Sequence, residues 1–126
     1  MSRRRSILVA LAATATIAVA ASPVPVGART AEQAKSKPTK VKVRDDFYAP
    51  DEVTIKKDKK VKWVWGNVNI DAHDVKLKNG PQGAKNFRSL TASIGYSFTH
   101  KFKKTGTYDI YCTLHPTVME MTVDVK

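Results

Sequence analysis

The sequence predicts an all-β domain folded as an antiparallel β-sandwich. Apolar residues recur with period two, turn-forming residues interrupt them at short intervals, and no long run has helical spacing. The domain is read from residue 39 to residue 126. Val41 and Val43 alternate with Lys40, Lys42 and Arg44, the pattern of a strand with one buried face. Val53 and Ile55 alternate with Thr54 and Lys56, and Asp58 among lysines then supplies a turn. A third strand follows, with Val61, Trp63 and Trp65 on one parity and Lys62 and Val64 on the other. Asn79-Gly80-Pro81-Gln82-Gly83 marks a longer irregular connection. Tyr96, Phe98, His100 and Phe102 share a parity, and Lys103-Lys104-Thr105-Gly106 turns the chain into Thr107-Tyr108-Asp109-Ile110-Tyr111-Cys112. The last strand runs from about Glu120 to Val125. Trp63, Phe98, Phe102 and Tyr108 are the large side chains expected to fill the core, since each aromatic buries ~150–250 Å².

Length and charge bound the rest. The chain has 126 residues, one cysteine and a formal charge of +11. This excludes a large multidomain enzyme, and a lone Cys112 excludes a scaffold stapled by intrachain disulfides. Residues 1–28 read as a cleaved export signal: Arg3, Arg4 and Arg5 precede an apolar stretch from Ile7 to Ala21, and the small-residue segment Val26-Gly27-Ala28 follows. Arg4-Arg5-Ser6-Ile7-Leu8 looks like a twin-arginine signal, so both that route and Sec export stay open. Residues 29–38 read as a disordered linker. Removal of the leader takes three arginines, leaving 19 Lys+Arg against 11 Asp+Glu, a charge of +8. The expected product is an extracytoplasmic monomer without a stable membrane anchor, steered toward redox partners with acidic docking surfaces. Nucleic acid is not an expected partner, because the lysines are spread through alternating segments with no basic helix.

The chemistry concentrates in Cys112-Thr113-Leu114-His115-Pro116-Thr117-Val118-Met119, between the last two strands. A thiolate, an imidazole and a thioether within one turn form a soft donor set, which favours copper over hard cations such as calcium. His73, in Asp71-Ala72-His73-Asp74-Val75, is the candidate for the remaining ligand. A site of two histidines and one cysteine with a weak axial methionine suits neither oxidation state of copper fully, so little rearrangement accompanies electron transfer. Pro116 restricts the loop by locking its own φ. Each residue also has a plainer reading. A lone cysteine is commonly an inert buried thiol, and methionine is a common core filler. Met121 is read as such a filler on the last strand, and His100 as a partly buried, hydrogen-bonded core histidine. Trp65 either shields the site from water or packs in the core.

These residues resemble the plastocyanin/azurin-like cupredoxins, the type 1 blue copper proteins. The likeness runs through Phe47-Tyr48-Ala49-Pro50, Glu52-Val53-Thr54-Ile55, Val61-Lys62-Trp63, His73-Asp74-Val75, Gly106-Thr107-Tyr108 and Cys112-Thr113-Leu114-His115-Pro116. It implies a Greek-key sandwich, one copper ion held by His73, Cys112 and His115 with Met119 axial, and shuttling of single electrons through His115. Leu114 and Pro116 would flank the exposed edge of His115 as an apolar docking patch. The chain departs from the family at Trp65, where many members have an asparagine that braces the site; the Trp-x-Trp strand resembles the halocyanin-like branch, and Asn67 or Asn69 is a candidate replacement. The same ligands also suit copper delivery or sequestration, although the chain has no Met-rich or His-rich tract. Blue-copper catalysis needs a second copper site, for which three histidines do not suffice, so no enzymatic activity is expected.

Overall fold

A computed structural model of the protein describes residues 36–126; the expected signal and most of the expected linker lie outside the described residues. Eight strands follow in order: β1 (Thr39–Arg44), β2 (Phe47–Ala49), β3 (Glu52–Ile55), β4 (Lys60–Trp65), β5 (Lys76–Asn79), β6 (Ser97–Lys101), β7 (Gly106–Tyr111) and β8 (Glu120–Val125). They form two four-stranded sheets, ordered β2-β1-β4-β6 and β3-β8-β7-β5. The period-two residues lie between the sheets: Val41, Val43, Val61, Trp63 and Trp65 from one meet Ile110, Met121, Val123 and Val125 from the other. Trp63 is the hub, with the rings of Phe87, Phe98 and Phe102 centred 5.8–6.4 Å from its own. Of the four aromatics expected in the core, Trp63, Phe102 and Tyr108 are buried and Phe98 is partly so.

The sandwich is not purely antiparallel. β1 runs parallel to β4 and β3 parallel to β8, while the other four pairings are antiparallel. The cause is the path of the chain: after the β1–β2 hairpin it crosses to the second sheet as β3 and returns as β4 beside β1, in the same direction. Parallel neighbours need such a crossover, because a tight hairpin always reverses direction. Asp46 and Asp58 make the β1–β2 and β3–β4 turns with φ of 66° and 68°, a conformation that aspartate tolerates better than bulkier residues.

The strand ends place the loops. Lys60 pairs with Lys101 at one end of the β4–β6 ladder, whereas Trp65 lies at the other end of β4. The lysine-rich β3–β4 and β6–β7 turns therefore share one pole. The β1–β2 turn, the segment after β4 and the β7–β8 loop share the opposite pole, where the candidate ligands cluster.

Candidate metal centre

In the β7–β8 hairpin, Tyr111 pairs with Glu120, so Cys112 and Met119 are the next opposed residues. The Cys112 N–H donates to the Met119 carbonyl at 3.0 Å, and the Met119 N–H to the His115 carbonyl at 3.0 Å. The loop is thus folded back on its own backbone with Cys112 and Met119 fully buried. His73 comes from the other side, joined to Ala92 by an isolated antiparallel bridge. Its Nδ1 lies 3.2 Å from Nδ1 of His115, which in turn lies 3.7 Å from Sγ of Cys112. These three donor atoms lie within 4.8 Å of one another. Two imidazole nitrogens and a sulfur converging in a largely buried pocket form a donor set that a soft cation satisfies. The chemistry of the pocket thus fits copper.

A surrounding shell orients the donors. Asp45 Oδ1 lies 2.8 Å from His73 Nε2, and the carboxylate also accepts the Ile70 N–H at 2.9 Å and the Asp71 N–H at 3.1 Å. The bond to His73, followed by those to the backbone, holds the Asp45 carboxyl below its usual pKa. The Trp65 indole N–H donates to the His73 carbonyl at 3.3 Å, and the Asp74 N–H points at Cys112 Sγ at 3.5 Å. Asp74 has a fully buried carboxylate that accepts the Thr113 N–H and hydroxyl, each at 2.7 Å, and the Arg88 guanidinium at 2.9 Å. Burial pushes this carboxyl up, but the bonds from Thr113 and Arg88 outweigh burial and hold it low. Tyr48 donates its hydroxyl to the Asp74 carbonyl at 2.6 Å; burial, then the nearby Cys112 and Asp74, push its pKa up.

One edge of the centre meets solvent. The His115 side chain is 25% exposed, with Asp46 and Asp71 beside it; Leu114 and Val118 are exposed on the same loop.

A profile of the copper-binding plastocyanin/azurin proteins matches residues 35–126. The chain belongs to this family. Amicyanin of Paracoccus versutus is 38% identical over 69 residues, 55% of this chain and 51% of the relative. The chain thus spans about half the length of that protein. Amicyanin-alpha of Methylorubrum extorquens is 32% identical over 85 residues, covering 68% of this chain and 70% of the relative. The crystal structure of Paracoccus versutus amicyanin superposes with a TM-score of 0.62 at 31% identity, over 76% of this chain and 88% of that one.

Within this plastocyanin/azurin-family protein, His73, Cys112 and His115 meet as the sequence suggests, and Met119 is buried at the base of the same loop. Met121 is engaged elsewhere, accepting the Trp63 indole N–H on its sulfur at 3.1 Å. His100 lies apart from the centre, stacked on Phe87 at 3.9 Å, with no hydrogen bond to its ring among the described residues. Asn69 reaches the Val43 carbonyl at 3.0 Å, while Asp74 ties the His73 segment to Thr113. Asp45 and Asp74 are the residues that sequence reasoning missed. The signal for Asp74 was its place next to a candidate ligand; Asp45, 28 residues before His73, gave no local signal.

Proposed function

We propose that this chain is an exported carrier of single electrons that holds one copper ion through His73, Cys112, His115 and Met119. The observation that carries this reading is the convergence of the two Nδ1 atoms and the Cys112 sulfur within 4.8 Å of one another. Copper bound there supplies reversible one-electron exchange between its cupric and cuprous states. The chain's contribution is rigidity. His73, on a bridge, and Cys112, directly after β7, are fully buried, and the shell of Asp45, Trp65 and Asp74 restrains them. A frame of this kind favours electron exchange over the opening and rearrangement that metal delivery requires. His115, being partly exposed, is the exit, and Leu114 and Val118 form an apolar contact around it.

The leader directs the protein out of the cytoplasm by the Sec or the twin-arginine route, and residues 39–126 act as the copper domain. Among the described residues no helix is long and apolar enough to cross a membrane. The net positive charge of the chain supports long-range attraction to acidic partner surfaces, with close contact made at the apolar rim. The electron partners are proteins, and the chain catalyses no reaction of its own.

Mature protein loaded with Cu(II) is expected to be intensely blue from thiolate-to-copper charge transfer, and Cys112→Ser to be colourless. A colourless wild-type protein carrying stoichiometric Cu(II) refutes the assignment. Fast copper transfer to an apo-acceptor with sluggish electron exchange would assign the same ligands to trafficking instead.

A further inference from the structure

We propose that Asp45 is a positioning residue of the metal centre: its carboxylate fixes the Nε2–H tautomer of His73, keeps Nδ1 bare toward Cys112 and His115, and lowers the reduction potential. The effect on the potential rests on the copper reading above; the effect on the tautomer does not.

The geometry leaves little choice. An ionised carboxylate only accepts hydrogen bonds, and Asp45 Oδ1 stands 2.8 Å from His73 Nε2. Nε2 therefore carries the hydrogen, and in a neutral imidazole the other nitrogen, Nδ1, is left with its lone pair. Nδ1 is the atom that faces His115 at 3.2 Å. His73 is fully buried, so water does not compete for Nε2. The carboxylate is itself fixed, since the Ile70 N–H occupies Oδ2 and the Asp71 N–H shares Oδ1. These donors come from the segment leading into His73, whereas Asp45 comes from the β1–β2 turn. One side chain thus ties the ligand's ring and the ligand's own backbone to the first hairpin.

Asp45 also adds charge. A backbone carbonyl in its place would orient the ring, but an anion behind the imidazole makes it a stronger donor as well. A stronger donor favours the more highly charged state of the metal, which lowers the potential of the couple. Loss of a partner behind a metal-bound histidine typically costs roughly 10–100-fold in affinity. If the cupric state bears the lower end of that loss, the ratio of cupric to cuprous affinity falls tenfold and the potential rises by about 59 mV for one electron.

The test uses Asp45→Asn and Asp45→Ala in the mature protein. Asn keeps one acceptor oxygen without the charge, and Ala removes both. In metal-free protein, side-chain ¹⁵N spectra are expected to show His73 as the Nε2–H tautomer in the wild type and as a mixture in Asp45→Ala. In copper-loaded protein, Asp45→Asn is expected to retain the thiolate–copper absorption and to raise the potential. Asp58→Asn removes an equal charge from the exposed β3–β4 turn at the opposite pole and is expected to shift the potential less. A tautomer mixture in the wild type, an unchanged potential in Asp45→Asn, or an equal shift in Asp58→Asn overturns the proposal. Should Asp45→Ala fail to fold, Asp45→Asn and the wild-type tautomer decide it. A colourless wild-type protein refutes the copper reading and the effect on the potential with it; the tautomer measurement, made without metal, decides the rest separately.

Discussion

Asp74 and His100 show how differently a buried and a half-buried polar side chain are accommodated. The Asp74 carboxylate exchanges water for Thr113 and Arg88, so its charge is retained beside the candidate ligands and fixes the residue after Cys112. Among the described residues His100 has no such partner. Its ring is stacked on Phe87 and lies edge-on to Phe102, and burial holds its pKa below the usual histidine value. Lys85, Lys101, Lys103 and Lys104 line the cleft beside it. The sign follows from linkage: above the unfolded-state pKa of about 6.5 both states are neutral and stability is undiminished. As pH falls below that, the unfolded chain takes up the proton first and stability is lost, until the folded ring titrates at its lower pKa. Thermal unfolding of metal-free protein should therefore show the wild type losing stability relative to His100→Phe as pH falls from about 7 to 5, with their difference constant above that range. Parallel curves throughout would mean that His100 titrates alike in both states.

At the level of strands, β7 carries the centre, because Cys112 follows it directly and its pairing with β8 opposes Cys112 to Met119. Its first residue, Gly106, has φ of 132°, and a Cβ there would meet Pro81 Cβ at 2.8 Å and Cγ at 3.0 Å. Gly106→Ala combines backbone strain with overpacking against a stiff ring, so a loss of about 2 kcal/mol or more is expected. Urea unfolding of metal-free protein should show a lower midpoint at unchanged slope, whereas an unaltered midpoint would mean that the β5–β6 connection yields without cost. Gly106 was legible in the sequence as a turn residue, and the strand set was legible as well, because alternation reports which face is buried. Strand direction was not: Val41 and Val43 alternate identically whether β4 runs with them or against them, so the parallel pairs appear only once the crossover is traced. The donors stood out because a thiol, an imidazole and a thioether within eight residues have a shared chemistry. Asp45 and Asp74 did not, since a carboxylate in a turn or beside a ligand looks like any other polar loop residue until the backbone brings it to its partner.

For the molecule as a whole, the candidate centre fastens together parts of the chain that are distant in sequence. His73 and Cys112 are separated by β5, β6 and β7, and Asp45 brings in the first hairpin through His73. A domain of this size buries little more than ~60% of its unfolded surface, so an added tie between separated segments is a large fraction of its stability. A ligand that binds the folded state alone stabilises it by about 2.7 kcal/mol at a free concentration one hundred times its dissociation constant. With ~4–8 °C per kcal/mol for a domain of this length, copper is expected to raise the melting temperature by roughly 10–20 °C. The rise should grow with the logarithm of free copper and shrink in both His73→Ala and Cys112→Ser, because each removes a donor from a different end of the tie. Scanning calorimetry on the three proteins with and without copper measures it. A rise of equal size in all three would place the metal on the exposed carboxylates of Asp46 and Asp71 instead of in the buried pocket, since those side chains survive both substitutions.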